Sequence, residues 1–174
     1  MTTKVSRLLE RYIAALPERQ RQMRERSPHL GEEYSLFKVN SPEPLPEVLQ
    51  TLDAKASRPI SPQLRDWYTA VGILVESSWK YLSPSAIKST VKRAKLKEIV
   101  AAHREYWDES APMKFPNSQL SVFALIGDLN DGDLIYLVWP KADSVEPELW
   151  EYFGQAETRY KDVCSYITSL LEGS

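Results

Sequence analysis

Apolar side chains fall at Val5, Leu8, Leu9, Tyr12, Ile13 and Leu16 in the first stretch of the chain. That spacing puts them on one helix face, with Thr2 or Thr3 placed to cap it. Pro17 interrupts the pattern, and ERQRQMRER then carries charge with almost no apolar face as far as Ser27-Pro28. This second stretch is either a helix resuming after a kink or a solvated extension. YSLFKV, residues 34–39, reads as a short strand. SPEPLP follows, and its three prolines in five positions make a rigid connector and a domain-start marker.

Val48, Leu49 and Leu52 fit a short helix. In RPISPQLRDWYTAVG, Ser61 is placed as N-cap and Pro62 at the first helical position. Leu64, Trp67, Tyr68 and Val71 form its buried face, and Gly72 is expected to stop it. ILVES reads as a strand. SPSAIKSTVKRAKLKEIVAAHREYW opens with the same cap signal at Ser83-Pro84 and predicts one helix with Ile87, Val91, Ile99 and Val100 inside. LSVFALIG and DLIYLVW are rich in β-branched and aromatic residues and too apolar to leave one face in water, so both are expected to be central strands. Tyr166, Ile167, Leu170 and Leu171 give a closing helical face before Gly173.

This order predicts an α+β fold: a mostly antiparallel central sheet flanked by helices, with an N-terminal helical extension. Residues 1–43 are read as that extension plus a short strand, and residues 44–174 as the main domain.

A chain of 174 residues suits one such domain. No apolar run reaches the ~20 residues of a membrane span, and MTTKVSRLLERYIAAL has arginines inside its apolar pattern, so it lacks a signal-peptide core. Cys164 stands alone, which excludes an internal disulfide and a cysteine zinc site. A cytosolic location is the expectation. Charge changes the picture more. Residues 1–107 hold 18 Lys/Arg against 12 Asp/Glu, a net of +6, and residues 108–174 hold 4 against 12, a net of −8. The two halves give the chain its −2, and such asymmetry can steer a charged partner.

The acidity is densest in GDLNDGD, residues 127–133, with three aspartates and two glycines in seven positions. Counted as a calcium loop from Asp128, it has Gly132 one place early and Trp139 where the closing glutamate belongs, so it is not an EF-hand. Asn130-Asp131-Gly132 tolerates positive φ, which suits a tight or bulged hairpin turn between two strands. Three aspartates on an exposed turn would stay ionised, whereas a general acid needs a carboxyl raised by burial. His29 and His103 are too isolated for a zinc site, and no phosphate loop or nucleophile elbow is present. Lys88, Lys92, Arg93, Lys95 and Lys97 could track a nucleic-acid backbone, but they spread around their helix and read as a solvated face. Trp67, Trp139 and Trp150 sit on apolar patterns, where core is the default.

Four pieces taken in order resemble the SUKH superfamily, which includes the Smi–Knr cell-wall-synthesis regulators and many bacterial toxin-immunity proteins. They are ISPQLRDWYTAVG, FPNSQLSVFALIGDLNDGDLIYLVW, EPELWEYF and RYKDVCSYITSLLEG, covering roughly residues 44–172. The family's first helix usually ends in Asn-Gly-Gly, where this chain has Ala70-Val71-Gly72, and residues 1–43 have no counterpart in the pattern. The matching residues Trp67, Gly72, Phe123, Gly127 and Trp139 look structural.

The family has no known catalytic set, so the resemblance implies a non-enzymatic binding protein without cofactor or metal. It would hold a cognate toxin domain inactive by direct occlusion, and its partner would be a protein and not a nucleic acid or a membrane. The alternative is a regulatory scaffold of the same fold that binds the cell's own proteins. Charged contacts are expected at Asp128, Asp131, Asp133, Asp143, Glu146, Glu148 and Glu151, with Trp150 as an aromatic anchor. They predict a basic toxin surface, such as a nuclease active site, and salt-sensitive association. An enzyme using carboxylates would instead need a raised Asp or Glu in a real pocket.

Overall fold

A computed structural model of the chain describes residues 3–29, 37–76, 78–129 and 132–173. Its centre is the pair of strands β6 (Leu120–Ile126) and β7 (Leu134–Val138), in which every residue is buried. Seven strands form one antiparallel sheet among the described residues, in the order β1 (Phe37–Val39), β4 (Leu74–Glu76), β5 (Trp79–Tyr81), β6, β7, β8 (Glu148–Phe153) and β9 (Ala156–Tyr160). A separate two-stranded ribbon pairs β2 (Val48–Gln50) with β3 (Ser57–Pro59). The fold is α+β, as the order of patterns predicts, and the expected central strands are central.

Strands buried on both faces need a layer of helices on each side. One face packs against α1 (Lys4–Arg26), α2 (Pro62–Ala70) and α6 (Val163–Glu172). Its core is aromatic: Trp67 of α2 lies 4.9 Å from Phe123 and 5.4 Å from Tyr81, and Tyr166 of α6 lies 6.2 Å from Tyr81. The register of β6 against β7 shifts between Val122 and Ala124, a bulge that lets Phe123 join this cluster. The other face carries α4 (Ala94–Tyr106) and the short α5 (Ala111–Lys114). There His103 stacks on Tyr152 at 5.0 Å, and Phe115 meets Trp150 at 5.7 Å.

The first helix runs unbroken through Pro17, which sits on its exposed side. Thr3 caps it, accepting from the Ser6 N–H at 3.0 Å and donating to Asp66 at 2.6 Å. Val5, Leu9, Tyr12 and Leu16 are buried, so the apolar face read from the sequence is the one that packs. Residues 18–26 are helical, but as a continuation of the same helix, so the interruption expected at Pro17 is not observed.

Ser61 and Ser83 cap α2 and α3 (Pro84–Thr90) through the Leu64 and Ala86 N–H groups, each with proline in the first turn. Four expectations need correction. Val48–Gln50 is a strand, because its backbone pairs with Ser57–Pro59 where a short helix is expected. The single helix from Ser83 is two helices, broken at Val91–Arg93. Residues 148–160 add two strands that the patterns do not single out. Helix α2 stops at Ala70, ahead of Gly72, with Val71 already extended at φ −136° and ψ 138°. A Cβ on Gly72 would lie 2.3 Å from the Ser41 carbonyl oxygen, so the position is glycine because two backbones touch there. The strand expected at 34–39 is seen at Phe37–Val39, and residues 34–36 lie outside the described residues.

Gly72→Ala must displace backbone and not a flexible side chain. It is expected to cost about 1–3 kcal/mol, read as a lower urea midpoint at unchanged m-value. An unchanged midpoint would show that the Ser41 segment yields freely.

Candidate functional site: a cleft at the turn end of the sheet

The antiparallel order returns three connections, β4–β5, β6–β7 and β8–β9, to one end of the sheet. The acidic GDLNDGD stretch is the middle one. Gly127, Leu129 and Gly132 take positive φ at 56°, 66° and 79°. Leu129 is buried, so its apolar contacts offset the strain of a left-handed non-glycine residue. Asn130 and Asp131 lie outside the described residues, and with them the centre of the expected turn.

Both flanks of this connection are held. Arg93, at the start of α4, donates from Nη1 and Nη2 to Asp128 at 2.6 and 3.1 Å. That pairing holds the Asp128 carboxyl below its ordinary range, although the pair is exposed and adds little stability. Asp133 accepts from the Gly154 N–H at 2.9 Å and so ties the connection to the β8–β9 turn. His103 reaches the Gly132 carbonyl from Nε2 at 3.0 Å and the Tyr136 hydroxyl from Nδ1 at 2.8 Å. A carbonyl can only accept, so Nε2 carries the proton and Nδ1 accepts from Tyr136. Burial pushes the imidazole down from its ordinary value, which keeps it in this neutral form.

The remaining expected contacts separate. Asp143 is exposed on the β7–β8 connection, at the opposite end of the sheet. Glu146, also at that end, accepts from the Gln63 N–H in the first turn of α2 at 3.1 Å. Glu148 accepts from Trp150 Nε1–H at 2.8 Å. Trp150 itself is 3% exposed, covered by Arg159 at 3.7 Å and by Phe115. It is a core residue and not an available anchor. Strand alternation puts Glu151 on the opposite face from Glu148 and Trp150. The described acidic residues therefore do not form one face; Asp128, Asp133 and Glu151 gather towards the turn end.

Glu151 opens into a cleft of about 300 Å³ between the sheet, α1 and the end of α6, shared with Glu76, Trp79, Tyr81, Tyr160 and Tyr166. An adjoining hollow of about 350 Å³ continues along the second half of α1 past Met23 and Arg26. Arg19 spans the two. Its guanidinium donates to Glu76 Oε1 at 2.8 Å and to the Leu170 carbonyl, and lies 5.2 Å over the Tyr12 ring. Tyr81 and Tyr166 share a hydroxyl hydrogen bond of 2.7 Å on the cleft floor. Burial pushes Glu76 up to about 7, against the pull of Arg19, and also raises Glu151. No hydrogen bond or ion pair among the described residues engages Glu151.

The condition for carboxylate chemistry, a raised carboxyl in a pocket, is thus met at two positions. Glu76 is committed to Arg19, however, which leaves Glu151 as the carboxylate open to a ligand. Among the described residues no group of three or more His, Cys, Asp or Glu could hold a metal ion, and no helix is long and apolar enough to cross a membrane. In the basic stretch, Arg93 is spent on Asp128, and Lys95 pairs with Glu98 at 3.5 Å. No family model, curated protein or solved structure matches the chain.

Sequence pattern missed Glu76 and Arg19, because neither stands in a motif and their pairing spans 57 residues. The two buried titrating groups act in opposite directions. Glu76 is raised from 4.5 to about 7, so folding is penalised as pH rises from 4.5 through 7, by up to ~3 kcal/mol. His103 is lowered from 6.5, so its contribution is lost as pH falls below 6.5 and the unfolded chain takes a proton. As pH falls below 6.5 the two therefore oppose each other, in the window that lies above 4.5. In urea unfolding across that window, Glu76→Gln is expected to tilt stability upward with pH, and His103→Gln downward. Parallel slopes in both variants and the wild type would refute the assignment.

Proposed function

We propose that the chain is an immunity-type binding protein that neutralises a cognate bacterial toxin domain by direct, non-covalent occlusion. The observation that carries this reading is the anchoring of the acidic β6–β7 connection on both flanks. Asp128 is held by Arg93, Gly132 by His103 and Asp133 by Gly154. A charged surface fixed before binding loses less conformational freedom on association, which favours tight inhibition. Its negative sign suits a basic partner surface, such as a nuclease active site, and would speed encounter at low salt. The ordered resemblance of residues 44–172 to SUKH immunity proteins supports the same role, in a cytosolic setting.

The test is an affinity pull-down from the native cell's lysate, eluted with a salt gradient. One dominant partner in fixed stoichiometry is expected, carrying a basic domain that kills cells lacking this protein. With that partner, Arg93→Ala should weaken affinity about tenfold, or 1.4 kcal/mol, by releasing Asp128. Joint neutralisation of Asp128, Asp131 and Asp133, the carboxylates of the acidic connection, should also flatten the salt dependence of association. Recovery of many faint partners, or of cell-wall-synthesis proteins, would overturn the immunity reading in favour of a scaffold. Unchanged affinity in the neutralised variant would remove the acidic surface from it.

A further inference from the structure

The cleft at the turn end holds one satisfied carboxylate and one unsatisfied carboxylate. Arg19 shows what satisfies such a group in this setting. A planar guanidinium sits on Glu76, gives a second hydrogen bond to the Leu170 carbonyl and rests over an aromatic ring. Glu151 lines the same cleft among Trp79, Tyr81, Tyr160 and Tyr166; Arg19 lines it too, but with its guanidinium bonded to Glu76 and the Leu170 carbonyl, and no ion pair among the described residues engages Glu151. A half-buried carboxylate without a partner is held at a cost that an incoming cation would relieve. At the same end, Phe153 is 52% exposed and lies 6.1 Å from Trp79, so two aromatic rings stand where the stem of a long side chain would lie.

We propose that this cleft receives the guanidinium of an arginine presented by the protein partner, with Glu151 as counter-ion and the Trp79–Phe153 pair as platform for the alkyl stem. The arginine's origin in a protein rests on the binding role above; the cleft's affinity for an alkylguanidinium does not. The alternation of β8 makes the pocket compact, because Glu151 and Phe153 are two residues apart and so share a face. Guanidinium fits better than ammonium, since a planar fork can donate to a carboxylate while stacking on a ring. The surface is also compatible with the acidic connection beside it, to which Asp133 is joined through Gly154. A basic partner could therefore be steered by the connection and seated in the cleft.

The experiment is a titration of the full chain with butylguanidinium chloride at constant ionic strength, followed by nitrogen–proton NMR. Saturable shifts are expected at the Trp79 indole and at the amides of residues 151–153 and 160, with butylammonium binding several-fold more weakly. Glu151→Gln, nearly isosteric, should weaken binding at least tenfold. Phe153→Ala, at an exposed position that leaves the core intact, should weaken it several-fold and decides the matter if the first variant fails to fold. Shifts that do not saturate, that centre on Asp143 or Glu148, or that persist in both variants would overturn the proposal. Because no toxin is present, such a failure would leave the immunity role untouched. Conversely, saturable binding here would survive failure of the pull-down.

Discussion

The structure depends on burying β6 and β7 on both of their faces. All seven residues of β6 and all five of β7 are shielded from water. At roughly 25 cal/mol per Å² of apolar surface removed from solvent, these strands are a large share of the driving force for folding. They realise it only if helices cover both sides. That requirement explains why a strongly charged N-terminal helix contributes Val5, Leu9, Tyr12 and Leu16 to the core. It also explains why α6 closes over the same face with Tyr166 and Ile167.

The same closure creates the electrostatic problem at the sheet's end. Glu76 and Glu151 stand on the face that α1 and α6 cover, so desolvation penalises their charged forms. Arg19 offsets part of this cost for Glu76 from the far side of Pro17. The continuation of α1 beyond the proline is what carries its guanidinium to β4 and to the Leu170 carbonyl. The arginine-rich half of the helix is therefore more than a solvated extension. One of its charges is built into the wall of the cleft.

Much of the fold was legible because burial on two faces leaves a plain mark, an unbroken apolar run, and because Ser-Pro caps declare helix starts. What was hidden follows from physical ambiguity. Val48, Leu49 and Leu52 satisfy a helical spacing as well as a strand's, and only pairing with residues 57–59 decides between them. In ELWEYF the glutamates sit at Glu148 and Glu151, an odd separation that hides any polar face behind the alternation. That odd separation was itself a signal. In a strand it places the two carboxylates on opposite faces, so they cannot belong to one acidic patch. Trp150 follows the same logic, since its even spacing from Glu148 brings the carboxylate within 2.8 Å of its indole nitrogen. Glu76 and Arg19 carried no local signal, because their pairing is made by the topology.

That topology also unites the two parts of the turn end. A meander returns its odd-numbered turns to one side, which sets the acidic connection next to the turn that follows Glu151 and Phe153. The Asp133 bond to the Gly154 N–H joins them directly, and neutral His103 braces the same segment from the opposite face through Gly132. A displacement of the connection must therefore stretch a bond to the β8–β9 turn. On the proposed binding role, long-range attraction from the connection and short-range seating in the cleft would be two stages of one encounter. The first would weaken with salt, because Asp128 is exposed. The second would weaken less, because Glu151 is half-buried.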